Sequence, residues 1–231
     1  MTDVHARYSL VAGQSLERLA ALSDGIFAVA MTLLVLELHV PVVEAVHSLA
    51  PLWTPGALDQ ERVLGEALLR LAPSMSTYLM SFLTLGIFWL GQQAQLNHFG
   101  HSTRVLSWIH LGFLCAVSLM PFSTALLAAF ITYRLALAVY WLNLLLLGVL
   151  LLASIRYAER AGLLREDVSP DARLLHTRRI VGYQVVYALA FGLCVLNTYV
   201  SITALIALQL HSVLGLGLPW RARRRTSVAA R

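Results

Sequence analysis

The chain of 231 residues contains no lysine, two cysteines and only 13% charged residues. A soluble domain carries about 25% charged residues, so a hydrated surface over most of this chain is excluded. Cys115 and Cys194 both lie in apolar runs. That excludes a disulfide framework and reads as two small buried hydrophobes. No Cys or His spacing suits a metal site, and Ser, His and Asp fall at no spacing that suggests a nucleophile and its base. Neither an enzyme nor a metalloprotein is expected, no cofactor is implied, and no soluble domain, internal repeat or low-complexity segment is visible.

All 17 basic residues are arginine, which reads as codon bias in a GC-rich genome. The net charge of +5 could suggest a nucleic-acid partner, but its placement argues against one. The arginines sit between apolar segments and in the tail Arg221-Ala-Arg223-Arg224-Arg225. Such clusters meet anionic headgroups at the cytoplasmic leaflet.

What the chain has in abundance is apolar length. Hydrophobic residues make up 58% and the mean hydropathy is +0.73, the composition of an all-α polytopic membrane protein. Six segments are long enough to span, near 18–40, 71–96, 104–127, 132–155, 178–197 and 199–217, given the roughly 17–25 residues a span needs. Residues 1–217 thus form a six-helix transmembrane unit, and 218–231 a basic cytoplasmic tail. Between the fifth and sixth segments only Asn197-Thr198 suggests a turn; a single helix of about 40 residues would far exceed the bilayer. Arginine bias sets orientation. With the amino terminus inside, fourteen arginines lie inside and Arg62, Arg70 and Arg134 outside, so both termini are expected in the cytoplasm. Ala28-Val29-Ala30 mimics a signal-cleavage site, but Asp24 interrupts the preceding run, so the first helix is expected to be retained. A short interfacial helix is expected where Leu58, Leu64, Leu68 and Leu71 recur at near-helical spacing. Ser169-Pro170 reads as an N-cap followed by proline at the first helical position.

Arg18-Leu-Ala-Ala-Leu22-Ser23-Asp24 runs directly into an apolar helix. Ionisable groups there are costly and are read as functional. On a wheel of about 100° per residue, Leu22, Leu33, Leu36 and Val40 fall within about 40° of Val29, Gly25 is close to the stripe, and Thr32 lies about 60° to one side. This face reads in two ways: as an ordinary packing face of a lipid-embedded bundle, or as a hydrophobic constriction repeated around an axis. Asp24 lies about 140° from Val29, so it is expected to join a polar network with neighbouring helices. Glu37 and His39 near the outer end are either a cation-concentrating mouth or groups exposed to headgroups.

These residues resemble the transmembrane-protein-175 family of potassium channels. The family signature is arginine, three residues, then Phe-Ser-Asp; here Leu22 replaces the phenylalanine. Phe88-Trp89, Trp108 and Leu119-Met-Pro121-Phe122 are similar to the family's second and third helices. Many members carry a histidine pair three residues after the Phe-Trp, where this chain has Gln92-Gln93. That keeps hydrogen-bonding capacity and removes a titratable group. His98, His101 and His110 lie nearby and read as interfacial. The resemblance covers about residues 16–127, and the chain also lacks the Thr-Val-Gly-Tyr-Gly carbonyl filter of ordinary potassium channels.

The resemblance implies a homo-oligomer, a tetramer in the prokaryotic single-repeat members, with a central path lined by first helices and potassium as the permeant ion. It places the constriction at Val29, Leu33 and Leu36 and a hydroxyl layer at Thr32. It places the motif network at Arg18, Ser23, Asp24, Trp89, Gln92, Gln93 and Trp108. The expected function is a potassium-permeable channel of a prokaryotic plasma membrane. The alternative is a secondary transporter or proton-leak pathway, although neither a duplicated half nor a chain of carboxylates is present.

Overall fold

A computed structural model describes residues 16–42, 51, 53–55, 57–166 and 169–214. Eight α-helices are present among them: α1 Leu16–Leu33, α2 Ala57–Leu69, α3 Ala72–Leu96, α4 Arg104–Ser118, α5 Met120–Ala129, α6 Arg134–Arg160, α7 Pro170–Gly192 and α8 Thr198–Leu214. A 3-10 turn extends α1 over Leu34–Glu37 and another extends α7 over Leu193–Val195. The basic tail expected at 218–231 lies outside the described residues.

Helices α4 and α5 follow each other as one apolar stretch, Arg104–Ala129, broken at Leu119. Pro121 explains the break: without an N–H it cannot continue the ladder. It is tolerated at the start of α5 for the same reason. The stretch starts cleanly because Thr103 caps α4, its hydroxyl accepting from Leu106 N at 3.3 Å. At the far end of α6, Gly162 adopts φ +67° and Leu163 N donates to Ala158 O at 2.9 Å. This left-handed closure favours glycine. The chain then reverses and pins the α3–α4 loop, with Gly100 N donating to Leu163 O at 2.8 Å and Arg165 N to His98 O at 3.0 Å.

Helix α6 is the spine. Leu137, Tyr140, Leu144, Leu147, Leu151, Ile155 and Ala158 are all buried, at steps of three or four residues that keep one seam facing inward. That seam meets α4, α5 and α7. Helix α7 begins at Pro170, as Ser169-Pro170 predicts. Helix α8 begins after a turn in which Asn197 Oδ1 accepts from Tyr199 N at 2.8 Å, as Asn197-Thr198 predicts.

Among the described residues, five helical stretches are long and apolar enough to cross a membrane: 16–37, 72–96, 104–129, 134–160 and 173–195. The expected sixth is not among them. Helix α8 has 17 described residues, about 26 Å at 1.5 Å per residue, against a hydrocarbon core of about 30 Å. Its expected end at 217 lies past the described residues. The first helix also differs from the expected 18–40: regular α-geometry stops at Leu33 and the 3-10 turn ends at Glu37. Val40 therefore stands beyond the helix and leaves the wheel on which it aligned with Val29. The segment 57–69 is a separate helix with Leu58, Leu64 and Leu68 exposed and an Arg62–Glu66 ion pair of 3.2 Å.

Candidate functional site

The two sides of α1 have opposite characters. Leu19, Ser23, Phe27, Ala30 and, in the 3-10 turn, Leu34 are buried against α3, α4 and α5. Phe27 meets Phe113 of α4 at 6.0 Å between ring centroids. On the other side Leu22, Val29, Leu33 and Leu36 are 45%, 57%, 41% and 67% exposed. Four large aliphatic side chains thus stand in a row on an element whose opposite face is already locked into the bundle. Thr32 is exposed beside them, and its hydroxyl donates to Val29 O at 2.8 Å. Between α1 and α4 this side carries an open apolar groove of about 590 Å³, in which Gly25 and Cys115 take part.

A compact polar network sets the rotation of α1. Asp24 Oδ1 accepts two bonds, from Trp89 Nε1 at 2.8 Å and from Gln93 Nε2 at 2.6 Å. Ser23 Oγ accepts from Gln92 Nε2 at 2.9 Å and donates to Leu19 O at 2.9 Å. The adjacent motif residues Ser23 and Asp24 are therefore read by the adjacent amides Gln92 and Gln93, with Trp89 one turn earlier on α3. Hydrogen bonds to a charged acceptor contribute about 1.5–3 kcal/mol each, with less for the exposed carboxylate here because water competes for it. In lipid the alternative partners are few, so the set fixes α1 against α3.

Of the residues expected in this network, Ser23, Asp24, Trp89, Gln92 and Gln93 come together. Arg18 sits exposed in the first turn of α1. Trp108 is 63% exposed on α4 and stands outside these hydrogen bonds.

His110 corrects the sequence reading. It is not interfacial but buried at 1% exposure, 3.4 Å from Gln92 Nε2 through Nδ1 and edge-on to Phe99. In this arrangement Nδ1 can accept from the Gln92 amide. The available signal was position: His110 lies six residues into an apolar helix, one turn from the buried Leu106 and Phe113.

A second network was not foreseen. Thr84 Oγ1 is 3.1 Å from the Tyr140 hydroxyl and accepts from Gln209 Nε2 at 2.6 Å, while Thr124 Oγ1 donates to Ser81 Oγ at 2.7 Å. Ser81 Oγ in turn donates to the Tyr140 hydroxyl at 3.4 Å. All five residues are buried, and they tie α3, α5, α6 and α8 at mid-bundle. Each looks unremarkable alone, because a single Ser or Thr in an apolar helix can back-bond to its own carbonyls.

Comparison with known proteins sharpens these observations. The family model for the endosomal/lysosomal potassium channel TMEM175 matches residues 18–121. That range runs from Arg18 to Pro121 and includes α1, α3 and α4. A potassium channel of Streptomyces collinus is 31% identical over 194 residues, covering 81% of this chain and 86% of its own length. A potassium channel of Chamaesiphon minutus is 32% identical over 126 residues, covering 53% and 56%. The crystal structure of a lysosomal potassium-selective channel TMEM175 homologue from Chamaesiphon minutus superposes with a TM-score of 0.68 at 24% identity. That match covers 86% of this chain and 96% of the other and is a likeness of fold.

Proposed function

The chain belongs to the TMEM175 family of potassium channels, and from that membership we propose that it conducts potassium through a pore lined by its own α1 in a homotetramer. The single observation that carries the reading is the two-sided helix. Leu22, Val29, Leu33 and Leu36 stand exposed while Ser23 and Phe27 are buried on the other side. Lipid would accept such a stripe on any one helix. What favours the axis is that the bundle holds this stripe outward on the family's signature helix, with Thr32 beside it.

In this reading Val29, Leu33 and Leu36 form successive apolar rings and Thr32 supplies the polar layer between them. Rings of apolar side chains gate by dewetting, because a narrow greasy throat holds water poorly. Ser23, Asp24, Trp89, Gln92 and Gln93 position α1, Arg18 lies at the mouth, and none of them touches the ion. Six crossings, with α8 completing the sixth, place both termini in the cytoplasm of a prokaryotic plasma membrane. The arginine asymmetry supports that orientation, and the bacterial relatives support that setting.

Planar-bilayer recording of purified protein under a potassium gradient tests the reading. Leu33→Ala and Leu36→Ala are each expected to raise unitary conductance by widening the throat. Currents identical in both variants would remove α1 from the ion path. Concentrative flux into liposomes without unitary events would identify a carrier instead.

A further inference from the structure

Away from α1, a crevice of about 100 Å³ opens between α3 and α7, with Leu151 of α6 at its floor. Helix α7 packs against α6 and α8, and its contact with α3 is slight. On the α3 side the crevice is walled by small residues, Gly91 and Ala94, together with aliphatic side chains. At its mouth, on the arginine-rich end of the bundle, stand His176 and Arg179. The Arg179 guanidinium lies 5.6 Å from the Tyr183 ring centroid and makes no ion pair among the described residues. Deeper in, Tyr187 also lines the crevice; the residue is 1% exposed and its hydroxyl has no hydrogen-bond partner among the described residues.

We propose that this crevice binds one anionic phospholipid per subunit, its phosphate held by Arg179 and one acyl chain laid between α3 and α7. Three features select that chemistry. The cation at the mouth calls for an anion, and basic pockets between transmembrane helices at the cytoplasmic side are suited to anionic headgroups. The apolar walls call for hydrocarbon; the cavity has room for only a few methylene groups, so the chain lies along the groove and stays in contact with the bilayer. Tyr187, a lining residue with an orphaned hydroxyl, favours an occupant that carries oxygen, because such a group is costly to leave unpaired in lipid. A glycerolipid brings ester oxygens and their accompanying water into the same groove. Arg179 is well suited to phosphate because its planar fork donates in pairs. This site is separate from the proposed pore and does not depend on it.

Native mass spectrometry of the full-length protein, exchanged between phosphatidylcholine nanodiscs and nanodiscs doped with phosphatidylglycerol, tests the assignment. The wild type is expected to retain one phosphatidylglycerol per subunit in preference to phosphatidylcholine. Arg179→Gln is expected to lower that preference about fivefold, the equivalent of the ~1 kcal/mol that one arginine contributes near an anionic surface. Arg179→Lys should keep most of it, which controls for misfolding. Ala94→Phe fills the crevice, leaves the cation in place and is expected to abolish retention. Equal retention of the two lipids, or unchanged retention in Arg179→Gln, overturns the proposal. So does unchanged retention in Ala94→Phe, which would indicate surface attraction alone. Inorganic phosphate displacing phosphatidylglycerol completely would identify a free-anion site rather than a lipid site.

Discussion

At the scale of single residues, Asp24 and Val29 are five positions apart on one helix and have separate roles. Asp24 gathers Trp89 and Gln93 on one oxygen; Val29 touches the exposed side. Asp24→Ala removes both bonds and leaves two α3 donors without their acceptor. Thermal unfolding followed by size-exclusion chromatography is expected to show a Tm lower by several degrees and less intact oligomer, in line with about 1–3 kcal/mol for stranded polar groups. Potassium-over-sodium preference in the surviving channels should change little. Normal assembly with an altered preference would move Asp24 into the ion path. Val29→Ile adds one methylene to each copy of the proposed first ring. Bi-ionic reversal potentials are expected to show stronger potassium preference and a lower conductance; an unchanged selectivity would detach Val29 from the constriction. The Gln92-Gln93 pair illustrates how far residue type alone carries. Amide capacity is legible in the sequence, but its division between Ser23 and Asp24 depends on how α1 and α3 are rotated toward each other.

At the scale of elements, close approach rather than charge decides several contacts. Helix α7 lies so near α6 that a Cβ at Gly148 would fall onto the Gln184 side chain, whose amide donates to Leu144 O at 3.3 Å. Gly148→Ala is expected to displace that amide and lower stability by about 1–3 kcal/mol, the usual range for overpacking, as read by thermal unfolding in detergent. The double variant Gly148→Ala/Gln184→Ala should recover part of the loss; no recovery would place the strain in the backbone instead. Helix limits followed local chemistry where a capping residue or proline was present. Ser169-Pro170 and Asn197-Thr198 mark the starts of α7 and α8 in both sequence and structure. They were less legible at the outer end of α1. The aliphatic run Leu33-Leu34-Val35-Leu36 carries no stop signal, yet it passes into a 3-10 turn in which Leu34 is buried.

At the scale of the whole molecule, most of the buried polar surface joins helices distant in the chain. Gln209 reaches Thr84 across 125 residues and Gln95 reaches Ser154 across 59. In water such bonds contribute modestly; in lipid they replace solvent as the only partners available. They fill the interior of the subunit; in the proposed assembly, copies of the chain share the outward side of α1. A mass measurement of the detergent-solubilised protein is expected to give four subunits. A monomer that still conducts would refute a shared axis and route ions through the bundle itself.

Composition and arginine placement by themselves determined that this is a helical membrane protein, because lipid accepts few other arrangements of so apolar a chain. The Arg18–Asp24 motif and the stripe around Val29 were legible for a related reason: periodicity and a rare intramembrane charge are local properties. Only the tertiary structure decided that His110 is interior, that Trp108 stands apart from the hydrogen-bonded set, that α8 is shorter than a full span among the described residues, and that Arg179 and Tyr187 share one crevice. Those facts depend on rotation and distance between helices, which side-chain packing sets and no single segment encodes.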